Sequence, residues 1–182
     1  MEIKPLRLAG TYEITLSPHH DDRGYFMRVY DKSWFEQLSL TTDWLQENQS
    51  RSNRKHLIRG LHFQRPPDAE TKLVRAVVGA VFDVFVDLRR SSSTYGQWDS
   101  IELTADNQKA VYIPRGFAHG FCTLTDDTVV GYKVDSNYNP NAEGGLRWDD
   151  ATLNIQWPTK SPYLSEKDQS LESFESFDSP FV

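Results

Sequence analysis

Residues 57–88 read LIRGLHFQRPPDAETKLVRAVVGAVFDVFVDL. The last part of this stretch alternates with a period of two. Phe82, Val84, Val86 and Leu88 fall on one face, and Val81, Asp83, Phe85 and Asp87 on the other, which predicts a strand. The run is apolar on both faces, so it belongs inside. Two acids on one face of so apolar a strand point to a polar lumen; an edge strand with one wet face is the other reading. The first part is a short apolar run carrying Arg59 and His62. It passes through a Pro66-Pro67 bend and returns as a strand that begins with Lys72. The spacing predicts two neighbouring strands that bring two basic side chains and an imidazole onto one wall of a catalytic pocket.

Outward from this stretch, strands dominate. Short strands are expected at 98–103, 110–113, 120–124 and 128–134, with turn signals between them at the spacing of an antiparallel sandwich or barrel. No long amphipathic helix interrupts, which excludes a parallel βαβ design. Toward the N-terminus, Ser17 to Gly24 reads as a turn, and Tyr25 to Tyr30 as a strand. Ser33 to Leu38 reads as a short helix with Ser33 as its cap. The adjacent His19 and His20 would point to opposite faces of an extended chain, which suits a solvated turn better than a metal site. Beyond Trp157-Pro158, residues 163–168 form a turn and a short helix capped by Ser165. Residues 170–182 are rich in Ser and acids and are expected to fray or pack loosely.

At 182 residues the chain fits one domain, 1–182, with a core of about 22–158 and an extension, 159–182. A hydrophobic fraction of 38% and a charged fraction of 25% exclude disorder. The net charge of −6 argues against wholesale binding to nucleic acid or membrane, so an anionic ligand would need local basic residues. The one cysteine, Cys122, lies in an apolar string and reads as a buried, inert thiol. With no internal disulfide possible and no leader or spanning segment visible, a cytoplasmic location is expected.

Pro114-Arg115-Gly116-Phe117-Ala118-His119 has the form P-x-G-x-x-H and resembles the second motif of the cupin barrels. Cupins that bind metal usually show H-x-H in their first motif; here that place reads His62-Phe63-Gln64. His62, His119 and Glu70 would make only a weak site, so neither metal nor cofactor is expected. Taken together, RGLHFQ (59–64), KLVR (72–75), VFDVFVDLR (81–89), IPRGFAHGF (113–121), YK (132–133), Tyr138 with Pro140 and Glu143, and LSEKD (164–168) resemble the dTDP-4-dehydrorhamnose 3,5-epimerase family. The resemblance runs from about Asp22 to Asp168. It implies a mainly β, antiparallel cupin or jelly-roll barrel with short peripheral helices. It also implies a homodimer, no cofactor, and a nucleotide-diphospho-4-keto-6-deoxy sugar as substrate in deoxysugar and surface-polysaccharide biosynthesis.

The chemistry can be set against the residues. A hydrogen next to a ketone is mildly acidic because the anion delocalises into an enolate. Epimerisation therefore needs a base on one face, an acid on the other, and positive charge near the keto oxygen. His62 suits the base, and Lys72 suits the charge. The resemblance assigns Tyr132 as the acid and Asp168 as the carboxylate that orients His62. Strand periodicity alone offers Asp83 as a second candidate for that carboxylate. For the nucleotide, the resemblance carries over Arg23, Gln46, Asn48, Arg59, His119, Glu143 and Lys167, with Tyr138 stacking on the base. Glu47 replaces the family's usual Asp. Arg28 replaces its usual Glu, reversing a charge at a ligand-contacting position and leaving a CDP-linked as well as a dTDP-linked substrate open. Epimerisation at C3 alone, a 3,4-ketoisomerase, a metal-dependent cupin enzyme and a non-catalytic sugar-nucleotide-binding barrel are the rival readings.

Overall fold

The computed structural model describes residues 1–182. Two antiparallel sheets face each other. One runs β1 (Glu2–Pro5), β2 (Tyr12–Thr15), β10 (Lys109–Ile113), β7 (Lys72–Val78), β12 (Thr128–Val134) and β5 (Gln46–Ser52), in that spatial order. The other runs β13 (Glu143–Gly145), β6 (Ile58–Gln64), β11 (Phe117–Thr123), β8 (Ala80–Asp87) and β9 (Trp98–Thr104). A separate hairpin pairs β3 (His19–Asp21) with β4 (Gly24–Phe26). Only two short helices occur, α1 (Lys32–Gln37) and α2 (Glu166–Gln169). This is the expected jelly-roll arrangement with peripheral helices.

β8 shows why its sequence is apolar on both faces. Val81 and Phe85 point between the sheets, into a cluster with Val74, Leu103, Val111 and Val130. Val84, Val86 and Leu88 point outward, into a second cluster with Leu61, Phe63, Phe177 and Phe181. The C-terminal segment is the cover of that outer face, contrary to the loose packing expected of it. Phe177 and Phe181 are buried, and the Arg90 N–H donates to the Phe181 carbonyl at 3.0 Å. The burial of these rings outweighs the polar composition between them.

Other boundaries also shift. The cap of α1 is Asp31, not Ser33; its carboxylate accepts from the Ser33 N–H at 3.1 Å and the Ser33 hydroxyl at 2.6 Å. The strand expected over 25–30 is β4 alone, because Met27, Val29 and Tyr30 turn to pack with Phe35 and Trp44 on the outside of the six-stranded sheet. Both lumen acids are fully buried, which rules out the wet edge. Asp87 is held by Arg89, Ser92 and Thr94, and Asp83 faces His119.

One irregularity positions the site. Between β6 and β11 the register pairs His119 with His62 and then Phe121 with Arg59, a bulge at Gly60. Gly60 has φ +119, and a methyl group there would lie 2.6 Å from the Gly120 Cα. Only glycine fits. The bulge lets Arg59 and His62 line the same cavity although a regular strand would send them to opposite faces.

Candidate active site

The lumen between the sheets opens into a cavity of about 620 Å3, and a second lobe of about 410 Å3 shares His62, Lys72 and Tyr132 with it. The five-stranded sheet supplies His62 from β6 and His119 from β11. The six-stranded sheet supplies Lys72 from β7 and Tyr132 from β12. Lys72 and Tyr132 lie on adjacent strands, Tyr132 opposite Val74 and Lys72 opposite Val134, so both share the inward face. His62 and Tyr132 therefore look into one space from opposite walls.

His62 is oriented by a residue far away in sequence. Its Nε2–H donates to Asp168 Oδ1 at 2.6 Å, which leaves the neutral ring with its lone pair on Nδ1. Asp168 reaches it because the extension is stitched alongside β6: the Ile58 N–H donates to the Tyr163 carbonyl, and the Tyr163 N–H to the His56 carbonyl. Ser165 then caps α2, its hydroxyl accepting from the Asp168 N–H at 3.1 Å. Burial alone would push the Asp168 carboxyl up. The His62 and Ser165 hydrogen bonds and the Gly60 N–H overcome this and hold it below the ordinary carboxylate range.

Asp83 does not orient His62. It receives the Nε2–H of His119 at 2.9 Å. β11 lies between β6 and β8, so an acid on β8 meets the imidazole of the nearer strand. The two imidazoles are thus turned to separate carboxylates. Gln64 donates from its side chain to the Asp68 and Asn137 carbonyls and accepts from the Asn139 N–H, away from both. No three His, Cys, Asp or Glu side chains come together with metal-ligating spacing.

Tyr132 is half-buried. Burial raises its pKa above the ordinary phenol value, the charge of Glu70 adds to the rise, and Arg59 opposes it. Lys72 is buried and pairs with Glu70 at 3.1 Å. Arg59 has no carboxylate partner; it donates to the Ser52 hydroxyl and the Arg51 carbonyl, each at 3.2 Å. Its charge is thus left for a ligand.

Several nucleotide candidates form one connected chain. The Tyr138 N–H donates to Gln46 Oε1 at 3.1 Å, the Tyr138 hydroxyl to Glu143 at 3.3 Å, and Glu143 pairs with Lys167. Burial would raise the Glu143 carboxyl, but Lys167 holds it below its usual value. Gln46, Asn48, Tyr138 and Glu143 line the second lobe; Arg59, His119 and Lys167 line the first. Arg23 and Arg28 line neither. They sit on or just beyond the β3–β4 hairpin, exposed and paired to Asp21 and Asp31. Ser50, Arg54 and Tyr163 line the cavity without having been foreseen. Ser50 was legible, since Gln46, Asn48, Ser50 and Ser52 form the inward row of β5. Arg54 stacks on Tyr163 at 4.5 Å, a contact across a long sequence separation that left no local signal.

The family model described as dTDP-4-dehydrorhamnose 3,5-epimerase matches residues 5–176. The chain belongs to that family. The Sinorhizobium fredii protein of this name is 47% identical over 174 residues, 95% of this chain and 89% of that one. A crystal structure of the Bacillus anthracis epimerase with TDP and PPi bound superposes with a TM-score of 0.92 at 42% identity, covering 94% of this chain and 98% of that one. The Legionella pneumophila epimerase in complex with dTDP-4-keto-L-rhamnose gives 0.94 at 34% identity, covering 100% of this chain and 98% of that one. This epimerase is thus an isomerase acting on nucleotide sugars in deoxysugar biosynthesis. None of its helices is long and apolar enough to cross a membrane. Cys122 is buried, and burial pushes its thiol up to about 11, which leaves it unreactive.

Proposed function

We propose that the protein inverts C3, or C3 and C5, of a nucleotide-linked 4-keto-6-deoxyhexose, with His62 as base and Tyr132 as acid. The observation that carries this reading is their placement on opposite walls of one cavity, with the Lys72 ammonium in the same space. His62 Nδ1 takes the proton next to the ketone. Asp168 stabilises the imidazolium that results. Lys72 stabilises the enolate oxygen as negative charge moves onto it. Tyr132, kept protonated by its buried setting, delivers a proton to the other face. The diphosphate is placed on Arg59, His119 and Lys167, since a guanidinium without a carboxylate partner suits phosphate oxygens. The base is placed on Tyr138, beside Gln46, Asn48 and Glu143.

The same reading makes the enzyme a homodimer in the cytoplasm that feeds surface-polysaccharide synthesis. Support for the dimer lies in the β3–β4 hairpin: Tyr25 and Phe26 are exposed, and Arg23 and Arg28 do not reach their own cavity. Substrate contact by these arginines then takes place in a second copy. A CDP-linked substrate is the second reading, favoured by Arg28 in place of the family's usual Glu. The test is incubation with dTDP- and CDP-linked 4-keto-6-deoxyglucose in heavy water. Deuterium entering C3, with C5 if both carbons invert, and an inverted product are expected. Binding without exchange would leave a non-catalytic barrel, and a 3-keto product would leave a ketoisomerase.

A further inference from the structure

The loop between β6 and β7 carries a charged group that the roles above do not use. Glu70 Oε1 lies 3.1 Å from Lys72 Nζ, and the two side chains are only 15% and 11% exposed. An ion pair so enclosed is costly to break from either side, because the partner left behind is an uncompensated charge. The loop is pinned around it. The Gln64 amide donates to the Asp68 carbonyl at 3.0 Å, and the Asn139 amide to the Asp68 carboxylate at 2.8 Å. On the other side the Thr71 N–H donates to Asp135 at 2.6 Å. The chain is thus held on either side of Glu70, whose side chain lines the second lobe with His62, Lys72 and Tyr132.

We propose that Glu70 is a positioning residue of the reaction: it fixes the Lys72 ammonium inside the lobe and sets its own negative charge against Tyr132, without holding the sugar itself. The proposal rests on the epimerase reading above. A lysine on a four-carbon stem is a mobile point charge. Paired with a carboxylate on a held loop, it keeps one location. The same carboxylate disfavours ionisation of Tyr132, in the direction that burial already works, while Arg59 pulls the other way. The other titratable or charged groups around these lobes are His62 from β6, His119 from β11, Glu143 from β13, Lys167 and Asp168 from α2, and Arg54 from the loop before β6.

The test is Glu70→Gln, which keeps shape and loses charge, read as the rate of net inversion at C3 across pH. The expected result is a kcat lower by roughly ten- to a hundredfold, the scale of a displaced charge at a reacting centre. KM stays within about threefold, and the alkaline limb of the profile moves to lower pH. Glu70→Asp, which keeps the charge, restores the limb toward the wild-type position. In a Lys72→Met background, adding Glu70→Gln should cost far less than it does alone, because the two residues act as a unit. Wild-type kcat and limb in Glu70→Gln would overturn the proposal, as would a loss confined to KM, which would make Glu70 a substrate contact. If the wild-type enzyme itself shows no inversion at C3, it is the epimerase reading that fails; if it inverts C3 and Glu70→Gln matches it, only the role of Glu70 does.

Discussion

Two histidine–aspartate pairs sit side by side in this molecule, and His62 and His119 are cross-strand partners. Asp83 holds His119 at 2.9 Å from a neighbouring strand of the same sheet. Asp168 holds His62 at 2.6 Å from an extension that wraps back from the C-terminal side. The His119 pair is almost closed off, its side chains 10% and 0% exposed; the His62 ring is 29% exposed and borders both lobes of the cavity. The pairing chemistry is the same, and the setting differs. Of the two rings, His62 is the one that shares both lobes with Tyr132 and Lys72, which is why the proposed reaction assigns the proton exchange to it and not to His119.

The sharpest way to break this contrast is to remove the charge from each acid while keeping an acceptor. Asp168→Asn is expected to lower kcat roughly a hundredfold or more, because an imidazolium forms beside it during turnover. Asp83→Asn is expected to leave kcat within about threefold, because His119 needs only an acceptor. Steady-state kinetics on the two variants decide this, and equal losses would erase the distinction. A smaller effect probes the extension. Ser165→Ala removes the cap that seats Asp168 and should cost about 1 kcal/mol in thermal unfolding. It should also lower kcat several-fold; an unchanged kcat would mean Asp168 is seated without α2.

The smallest effect is in acid. The folded-state pKa of Asp168 is depressed, so its contribution to stability is present above the unfolded value of about 3.9 and is lost as pH falls through the folded value. Denaturant unfolding between pH 6 and pH 2 should therefore show stability declining over the lower part of that range. The decline should be shallower in Asp168→Asn. Parallel pH curves for the two proteins would contradict the coupling.

Much of the fold was legible because period two in β8 is a direct consequence of strand geometry, and both of its faces are buried as read. What period two lacks is the identity of the neighbouring strand. It turned Asp83 inward, but only the order β6, β11, β8 decides that Asp83 meets His119 rather than His62. The tail misled for a related reason. Its serines and acids describe its exposed side, whereas Phe177 and Phe181 answer an apolar face that the sheet leaves uncovered. At α1 two adjacent candidates competed, and Asp31 won because its carboxylate reaches both the N–H and the hydroxyl of Ser33. The pairing of Asp168 with His62, which joins residues far apart in sequence, was read from resemblance to a family and not from any local pattern.

The central claim is that His62 and Tyr132 work on opposite faces of one sugar. It is tested most directly by following deuterium at C3 of dTDP-4-keto-6-deoxyglucose with His62→Asn and Tyr132→Phe side by side. The account expects His62→Asn to lose wash-in by roughly a hundred- to ten-thousandfold. Tyr132→Phe should keep wash-in while losing net inversion. Wild-type exchange by His62→Asn, or full inversion by Tyr132→Phe, would contradict it.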